Sequence, residues 1–272
     1  MKVFCVLSDE RVYQSKSPAM HTRVLQRLGI DGVYVPFQVR ADSLADAVAG
    51  LKALHVAGAN VTVPYKEAIM PYVDRLDEEA SAIGALNTIV REGDRLVGCN
   101  TDARGFADCL RDAGFCPEGK SGLVVGTGGA ARAVVHALGS LGLGHITVVG
   151  RSFARAEELA RAFGCKAGGL DSLGSSHAAA QILVNATSVS TSSEAPELAE
   201  LVRGIDGNGC ELVVDVNYGR RDSIWEHAAA SIGARFMDGL PMLAYQAQRS
   251  FALWSGLEVP PKYFLEALDE IS

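Results

Sequence analysis

The segment VVGTGGAARAVVHAL, residues 124–138, reads as a buried strand, a glycine-rich turn and a helix in immediate succession. Gly126 and Gly128 occupy the first two glycine positions of the pattern G-x-G-x-x-G/A, and Ala131 occupies the last. Glycines allow a tight turn here and let the backbone approach a pyrophosphate, which the N–H groups of the helix N-terminus can bind. The segment therefore predicts a dinucleotide-binding α/β domain, with a purely structural turn as the alternative.

The next predicted strand ends in ITVVGRS, at the position that distinguishes the two nicotinamide dinucleotides. NAD sites carry an acidic side chain there, which accepts a hydrogen bond from a ribose hydroxyl. This chain has Arg151 and Ser152 instead, and Arg155 follows one helical turn later. Guanidinium groups match phosphate geometry, so NADP is favoured over the alternative of two surface arginines, which the helix dipole would disfavour. We expect the glycine turn to add cofactor contacts from Gly126, Gly128, Gly129 and Ala130.

The rest of the chain alternates short apolar runs with amphipathic stretches. Residues 3–7, 33–39 and 58–63 read as strands, and residues 18–28 and 44–54 read as helices. Strands that alternate with helical stretches are typical of parallel βα units. A hairpin follows around the turn EGD, and a second set of strands starts at Leu123. The pattern predicts an α/β fold of two halves joined near Asp102.

The composition excludes several classes of protein. The chain has 272 residues and a formal net charge of -7, and no basic stripe is present to neutralise nucleic-acid phosphates. Its six cysteines are scattered without a CxxC pair, which indicates reduced thiols and no metal site. The start turns acidic too early for a signal peptide, and no apolar run reaches the roughly 18 residues of a membrane span. We expect a cytoplasmic monomer or homodimer that acts on a small molecule, without nucleic-acid or membrane partners.

Eight short motifs need a common explanation. They are QSKSPAMH (14–21), NVTVPYKE (60–67), GALNT (84–88), NTD (100–102), GTGGAAR (126–132), GRSFARA (150–156), NATS (185–188) and GLPMLAYQA (239–247). In identity and order, over essentially the whole chain, they resemble the shikimate dehydrogenase family. The resemblance implies an α/β fold of two domains. A substrate domain with a mainly parallel sheet would span 1–101 plus 240–272, including a returning C-terminal helix, and a Rossmann-type NADP domain would span 102–239.

The resemblance also implies a reaction and a set of site residues. The family reaction is the reversible reduction of 3-dehydroshikimate to shikimate by NADPH, with Lys66 and Asp102 as the catalytic pair. The substrate residues would be Ser15, Ser17, Thr62, Asn87, Tyr218 and Gln246. Thr187 and Gly239 would join the cofactor contacts.

The chemistry of the individual residues agrees with these roles. Ser15 and Ser17 are two residues apart, so their hydroxyls share one side of an extended backbone. Ser17 is also expected to be the N-cap of the helix that starts at Pro18, and the alternative to a binding role is a turn followed by this N-cap alone. Asn87 and Gln246 can each donate and accept hydrogen bonds, as a polyol requires. Asp102 stands where a helix begins, so it either caps that helix or reaches Lys66.

Lys66 is expected near the start of a short helix, because Pro64 ends the preceding strand. The positive end of a helix dipole disfavours an ammonium group. We therefore expect Lys66 to give a proton to the substrate carbonyl oxygen and to take one in the reverse direction. The alternative is a solvated lysine on an exposed helix.

The chain departs from the family pattern at several positions. The G-x-P turn before the serines is replaced by residues 9–11, and Gln14 stands in place of a histidine. The loop N-A-T-P-x-G becomes NATSVST at 185–191, the segment Y-x-P becomes Tyr218-Gly219-Arg220, and Gly150 replaces an asparagine. These changes leave open a relative that acts on quinate or on an amino- or otherwise substituted shikimate. A methylenetetrahydrofolate dehydrogenase and a non-catalytic NADP(H)-binding module are the remaining alternatives.

Overall fold

A computed structural model describes residues 1–174 and 180–271 of the chain, which fall into two compact units. Unit 1 comprises Met1–Gly105 and Leu243–Ser272, and unit 2 comprises Phe106–Met242. Within the described residues, each unit is built on its own six-stranded sheet. The α/β fold class predicted from the sequence is confirmed.

The elements follow one another along the chain as strands alternating with helices. The strands are β1 (Lys2–Ser8), β2 (Gly32–Gln38), β3 (Gly58–Val61), β4 (Arg75–Leu76), β5 (Thr88–Glu92), β6 (Arg95–Cys99), β7 (Ser121–Val125), β8 (His145–Gly150), β9 (Lys166–Gly169), β10 (Ile182–Asn185), β11 (Leu212–Asp215) and β12 (Arg235–Met237). The α-helices are α1 (Ser17–Arg27), α2 (Leu44–Ala53), α3 (Glu78–Ile83), α4 (Asp102–Asp112), α5 (Gly129–Ser140), α6 (Phe153–Phe163), α7 (Pro196–Arg203), α8 (Ile224–Ile232), α9 (Leu240–Ser255) and α10 (Lys262–Asp269).

The sheet of unit 1 has the strand order β2-β1-β3-β5-β6-β4. β1 pairs in parallel with β2 and β3, whereas β5 runs antiparallel to both β3 and β6. The central strand β1 is buried from Phe4 to Ser8, as expected for a strand covered on both faces. Because only β5 is reversed among β1, β3, β5 and β6, these strands place three carboxyl ends and one amino end at the same edge.

The C-terminal helices complete the core of unit 1. Trp254 of α9 donates from Nε1 to the carbonyl oxygen of Ile89 over 3.0 Å. A Cβ at position 58 would lie 2.3 Å from the Trp254 ring, so β3 needs a glycine where this ring packs. Arg27 of α1 lies 3.0 Å from Glu266 of α10 and ties the last helix to the first. Residues far apart in the sequence therefore share one core.

The sheet of unit 2 is entirely parallel, in the order β12-β11-β10-β7-β8-β9. Numbered from β7, this is the strand order 6-5-4-1-2-3 of the Rossmann fold. Its strands carry buried aliphatic side chains, among them Leu123, Val125, Val149, Leu183 and Val213. The order reverses between β7 and β10, and in such sheets ligands bind outside the carboxyl ends of the strands at this point.

The start of α1 differs from the sequence-based expectation. Ser17 is the first residue of the helix, and Lys16 occupies the N-cap position that we expected for Ser17. The hydroxyl of Ser15 instead accepts a hydrogen bond from the N–H of Ser17, over 3.2 Å. A serine two residues earlier thus satisfies an N–H group that the helix leaves unpaired.

None of the helices in the described part of the chain combines the length with the apolar composition that a bilayer span requires.

Candidate active site

The candidate residues of unit 1 come from segments that meet at one edge of its sheet. β1, β3 and β6 end at this edge, and β5 begins there. The loops and helix starts at this edge hold Ser15, Ser17, Thr62, Lys66, Asn87 and Asp102. Gln246 joins them from α9, because its amide accepts a hydrogen bond from Asn87.

Lys66 does not begin a helix, so that expectation is wrong. The segment after β3 forms turns, in which the N–H of Tyr65 donates to Thr62 and the N–H of Ile69 donates to Tyr65. Pro71 has no N–H group to continue this ladder, and only the short 3-10 helix Met70–Tyr72 follows. The helix-dipole argument therefore does not apply to Lys66, whose charged neighbour is a carboxylate.

Lys66 and Asp102 form a close ion pair. Nζ of Lys66 lies 2.6 Å from Oδ2 of Asp102, and the two side chains are only 16% and 5% exposed. Asp102 does not cap its own helix, because Oδ1 of Asn100 accepts from the N–H groups of Asp102 and Ala103 over 3.0 and 3.3 Å. Of the two alternatives for Asp102, the structure thus shows the contact with Lys66.

Asn87 holds the second oxygen of this carboxylate. Its Nδ2 donates to Oδ1 of Asp102 over 2.9 Å and to Oε1 of Gln246 over 3.1 Å. Its Oδ1 accepts from the backbone N–H of Thr101 over 2.8 Å, which fixes the orientation of the amide. Both oxygens of Asp102 therefore have a partner, one charged and one neutral.

A buried layer of hydroxyl and amide groups supports Asn87 from behind. Ser250 of α9 lies 2.8 Å from the hydroxyl of Thr88 and 3.0 Å from the hydroxyl of Thr101. Asn60 donates to Ser250 over 3.1 Å and accepts from the hydroxyl of Tyr34 over 2.7 Å. Our site prediction missed this layer. One available signal was the spacing of Gln246 and Ser250, four residues apart on one helical face.

The candidate residues for the substrate carboxylate follow β1. Ser17 is buried and Ser15 is half-buried, and Ser15 accepts from the Ser17 N–H while its own hydroxyl hydrogen stays available to donate. Thr62 is half-buried directly after β3, and its N–H donates to the carbonyl oxygen of Leu7 over 3.1 Å. The ends of the paired strands β1 and β3 thus present three hydroxyl groups near one edge.

The glycine turn of unit 2 has the geometry of a phosphate-binding turn. Gly126 adopts a φ of 126°, and a Cβ there would lie 2.7 Å from the carbonyl oxygen of Ala186. Gly128 is the N-cap of α5 and Gly129 is its first residue, with Ala130 following in the first turn. Because these glycines have no side chains, the backbone at the N-terminus of the 12-residue helix α5 is open to a ligand. This arrangement fits the pyrophosphate of a dinucleotide.

The end of β8 carries the predicted phosphate-binding residues. Ser152 is the N-cap of α6 and accepts from the N–H of Arg155 over 3.4 Å, while Arg151 and Arg155 are exposed on either side of it. Steric crowding explains the glycine at position 150, since a Cβ there would lie 2.6 Å from Cγ2 of Thr127. The space of the family asparagine is thus taken by a side chain of the glycine turn.

The ends of β10 and β11 hold a second polar group in unit 2. Asp215 accepts from Nδ2 of Asn185 over 2.8 Å and from Nδ2 of Asn217 over 2.9 Å. Burial raises the pKa of Asp215 above its ordinary value, against the lowering effect of these hydrogen bonds. Asn185 also accepts from the hydroxyl of Thr187 over 2.7 Å. The loop that follows β10 is therefore tied to the end of β11.

Two further predicted residues lie beside this group. Tyr218 lines a cavity of about 290 Å³ in unit 2, together with Asp215, Asn217, Gly219, Arg220, Ser223, Glu226, Phe236 and Asp238. The backbone of Gly239 lies so close to that of Val216 that a Cβ at position 239 would be 2.2 Å from the carbonyl oxygen of Val216. The tight turn before α9 thus explains a glycine at 239.

Sequence profiles of known families match most of the chain. Residues 7–89 match the shikimate dehydrogenase substrate binding domain, residues 115–220 match shikimate/quinate 5-dehydrogenase, and residues 239–268 match the shikimate 5'-dehydrogenase C-terminal domain. The chain belongs to the shikimate dehydrogenase family. The resemblance predicted from the motifs is confirmed.

Individual shikimate dehydrogenases are similar over nearly the full length. The shikimate dehydrogenase (NADP(+)) of Geobacter metallireducens is 41% identical over 260 residues, which cover 92% of this chain and 90% of the relative. That of Moorella thermoacetica is 42% identical over 258 residues, covering 92% and 86%. The crystal structure of the Thermus thermophilus enzyme in complex with NADP(H) and shikimate is 36% identical, covers both chains completely and has a TM-score of 0.86.

In this member of the shikimate dehydrogenase family, residues 9–11 form a defined structure. Asp9 caps the 3-10 helix Glu10–Gln14 by accepting from the N–H of Arg11. The Arg11 guanidinium also binds the Asp9 carboxylate, and this contact is the main reason why the pKa of Asp9 is lowered. A capped 3-10 helix thus connects β1 to Ser15 where the family has a G-x-P turn.

Proposed function

We propose that the chain catalyses the reversible, NADP-dependent reduction of 3-dehydroshikimate to shikimate. The observation that carries this proposal is the ion pair of Lys66 and Asp102, with the amides of Asn87 and Gln246 hydrogen-bonded beside it. An ammonium group held by a carboxylate can transfer a proton, and amides suit the hydroxyl groups of a cyclic polyol. The similarity to named shikimate dehydrogenases supports the same reaction.

The catalytic pair would handle the proton of this reaction. NADPH supplies the hydride that adds to the carbonyl carbon of the substrate. Lys66 donates a proton from Nζ to the carbonyl oxygen as negative charge develops there, and takes a proton from the hydroxyl in the reverse direction. Asp102 orients the ammonium group, and Asn87 holds Asp102 through its other oxygen. One hydride and one proton convert the ketone to the alcohol.

The remaining residues of unit 1 would orient the substrate. Ser15 and Ser17 donate to its carboxylate, and Thr62 and Gln246 contact its ring hydroxyls. By the same family motifs, Tyr218 would also bind the carboxylate. These roles rest on the family motifs and on the hydroxyl and amide groups that lie at the sheet edge.

The cofactor would bind along the carboxyl edge of the sheet in unit 2. Gly126, Gly128, Gly129 and Ala130 would accommodate the pyrophosphate, since glycine at three of these positions lets the backbone approach it. Arg151, Ser152 and Arg155 would bind the 2′-phosphate, which favours NADP over NAD. Thr187 and Gly239 would lie beside the nicotinamide. The proposal includes a cytoplasmic location, which the six free cysteines support, and a monomeric or homodimeric state.

A single set of assays tests this function. The absorbance of the reduced nicotinamide is followed with shikimate, quinate or methylenetetrahydrofolate, each with NADP and with NAD. Oxidation of shikimate with NADP is the expected result. Activity with quinate and NAD alone would overturn the proposal, and NADPH binding without any turnover would indicate a non-catalytic binding module.

Quinate or a substituted shikimate is the second candidate substrate. Arg220 favours it, because this charged side chain stands two residues after Tyr218, where the family has proline. A change of this kind beside a substrate-binding residue alters what the site accepts. The quinate arm of the assay decides between the two substrates.

A further inference from the structure

Glu194 fixes the loop that follows β10. Its Oε2 accepts hydrogen bonds from the N–H groups of Ser190 and Thr191, over 2.8 and 3.0 Å. Both residues belong to the segment 187–191, which lacks the proline and glycine of the family pattern. Hydrogen bonds from N–H groups to a carboxylate are charge-assisted and strong. A carboxylate therefore restrains this loop where the family relies on proline and glycine.

Arg220 joins the same carboxylate to the segment that follows β11. Nη1 of Arg220 lies 3.1 Å from Oε1 of Glu194. Asn217, on the same segment, donates from Nδ2 to the carbonyl oxygen of Thr187 over 2.9 Å. Two of the segments in which the chain departs from its family are thus connected directly, by an ion pair and an amide hydrogen bond.

The loop has further supports at the start of α8. The N–H of Ile224 donates to the carbonyl oxygen of Ser190 over 2.8 Å, and Nε1 of the buried Trp225 donates to Val189 over 3.1 Å. Burial raises the pKa of Glu194, but the N–H groups of Ser190 and Thr191 and the charge of Arg220 outweigh it and lower the pKa. The carboxylate is therefore ionised at neutral pH and available for these contacts.

The position of the loop in the sheet indicates which half of the cofactor it serves. A dinucleotide crosses the switch point of such a sheet, between β7 and β10. Arg151 and Arg155, after β8, mark that side for the adenosine phosphate. The loops after β10 and β11 lie on the other side of β7, which leaves them the nicotinamide half.

We propose that Glu194 and Arg220 are positioning residues that hold the loops after β10 and β11 for the nicotinamide half of NADP. This inference rests on the proposed function for the identity of the cofactor. It gives the departure at Arg220 a role, since this guanidinium binds the carboxylate that accepts from the N–H groups of Ser190 and Thr191.

The test compares two ligands by calorimetry. NADPH has both halves of the cofactor, whereas adenosine 2′,5′-bisphosphate has only the adenosine half. Glu194→Ala should weaken NADPH binding about tenfold, because two N–H groups and a guanidinium lose their acceptor. Binding of adenosine 2′,5′-bisphosphate should stay within about twofold of wild type.

Arg220 gives a second and weaker measure. Its side chain is 38% exposed and that of Glu194 is 29% exposed, so Arg220→Gln should weaken NADPH binding by only about threefold. Arg220→Lys keeps the charge and should restore the affinity. The matched control is Glu211→Gln, which removes an ion pair with Lys120 at 2.6 Å in the same unit and should change neither affinity.

The outcomes separate this proposal from the proposed function. Unchanged NADPH affinity in Glu194→Ala, or an equal loss for both ligands, would overturn the positioning role. Calorimetry needs no turnover, so a wild-type chain that binds NADPH without oxidising shikimate contradicts the proposed reaction alone. A wild-type chain that binds neither ligand contradicts both.

Discussion

The side chain of Asn100 caps the helix that Asp102 begins. Its Oδ1 accepts from the N–H of Asp102 over 3.0 Å, so the carboxylate of Asp102 has no capping duty. The carboxylate is directed to Lys66 instead, 2.6 Å away. At this helix start Asn100 therefore caps the backbone, which leaves the carboxylate of Asp102 to bind Lys66.

Removal of either member of the Lys66–Asp102 pair should abolish most of the turnover. A positioned acid or base contributes about 10² to 10⁴-fold to a rate, so Lys66→Ala should lower kcat by a factor in that range. Asp102→Asn should also lower kcat, because the neutral amide no longer orients an ammonium group. NADPH affinity should hardly change in either variant, since these residues lie in unit 1 and the glycine turn lies in unit 2.

The matched control is Lys52→Ala. Lys52 also pairs with an aspartate of unit 1, Asp74, at 3.3 Å, but its side chain is 44% exposed. Its loss should leave kcat unchanged. Near-normal turnover in Lys66→Ala, measured beside this control, would contradict the catalytic role.

Ser250→Ala should destabilise the fold more than the loss of a serine hydroxyl outside the buried layer behind Asn87. The hydroxyls of Thr88 and Thr101 and the amide of Asn60 would each lose a buried partner. Each of these groups keeps another hydrogen-bond partner, so the cost is that of the lost hydrogen bonds, about 0.5–1.5 kcal/mol each, and we expect the free energy of unfolding in urea to fall by about 1–3 kcal/mol in total.

Ser255→Ala on the same helix is the control for this effect. Its hydroxyl donates to the carbonyl oxygen of Phe251 and accepts from the N–H of Leu257, outside the buried layer. The control should lose less stability than Ser250→Ala. Equal losses would show that the layer behind Asn87 contributes no more to the free energy of unfolding than an isolated serine hydroxyl.

Gly126→Ala should prevent cofactor binding. The φ of 126° disfavours any residue with a Cβ, and the added carbon would lie 2.7 Å from the carbonyl oxygen of Ala186. NADPH affinity should be lost or fall strongly in calorimetry. Gly139→Ala, in the same βα unit, meets no atom within 4 Å and should raise helix stability by about 0.5–1 kcal/mol without changing affinity. Normal NADPH binding by Gly126→Ala would refute the assigned turn.

His21 should make the fold sensitive to acid. Its ring is 1% exposed, stacks on Tyr34 with centroids 4.5 Å apart, and has a pKa lowered to about 3 by burial. The unfolded state then binds the proton more readily, so stability is complete above pH 6.5, the ordinary pKa, and is lost as the pH falls towards 3.

The variant His21→Phe keeps an aromatic ring without the titrating group. Its free energy of unfolding should fall less than that of wild type between pH 6.5 and pH 4. Parallel pH profiles for the two proteins would rule out His21 as a source of acid sensitivity.

Much of the fold could be predicted because its signals are local. The apolar runs of β1 and β2 and the glycine turn before α5 each stand within a short stretch of sequence. The helix expected at Lys66 does not form because Pro71, five residues later, has no N–H group to continue the hydrogen-bond ladder. The N-cap expected at Ser17 failed because the competing acceptor is the side chain of Ser15.

The parts of the site that could not be predicted depend on distant residues. Asn60 and Ser250 are separated by 190 positions and meet only because α9 packs in unit 1. Gly150 stands where the family has asparagine because the side chain of Thr127, which follows the neighbouring strand β7, fills that space. A single sequence gives the chemistry of each residue, whereas these pairings follow from packing.

Unit 1 is built from both ends of the chain, and this has a consequence for biosynthesis. Gln246, Ser250 and Trp254 follow unit 2 in the chain, so they leave the ribosome after it. Unit 2, at Phe106–Met242, has its entire sequence before that segment is made. A nascent chain therefore holds every residue of unit 2 before the α9 partners of Asn87 and Asn60 have been made.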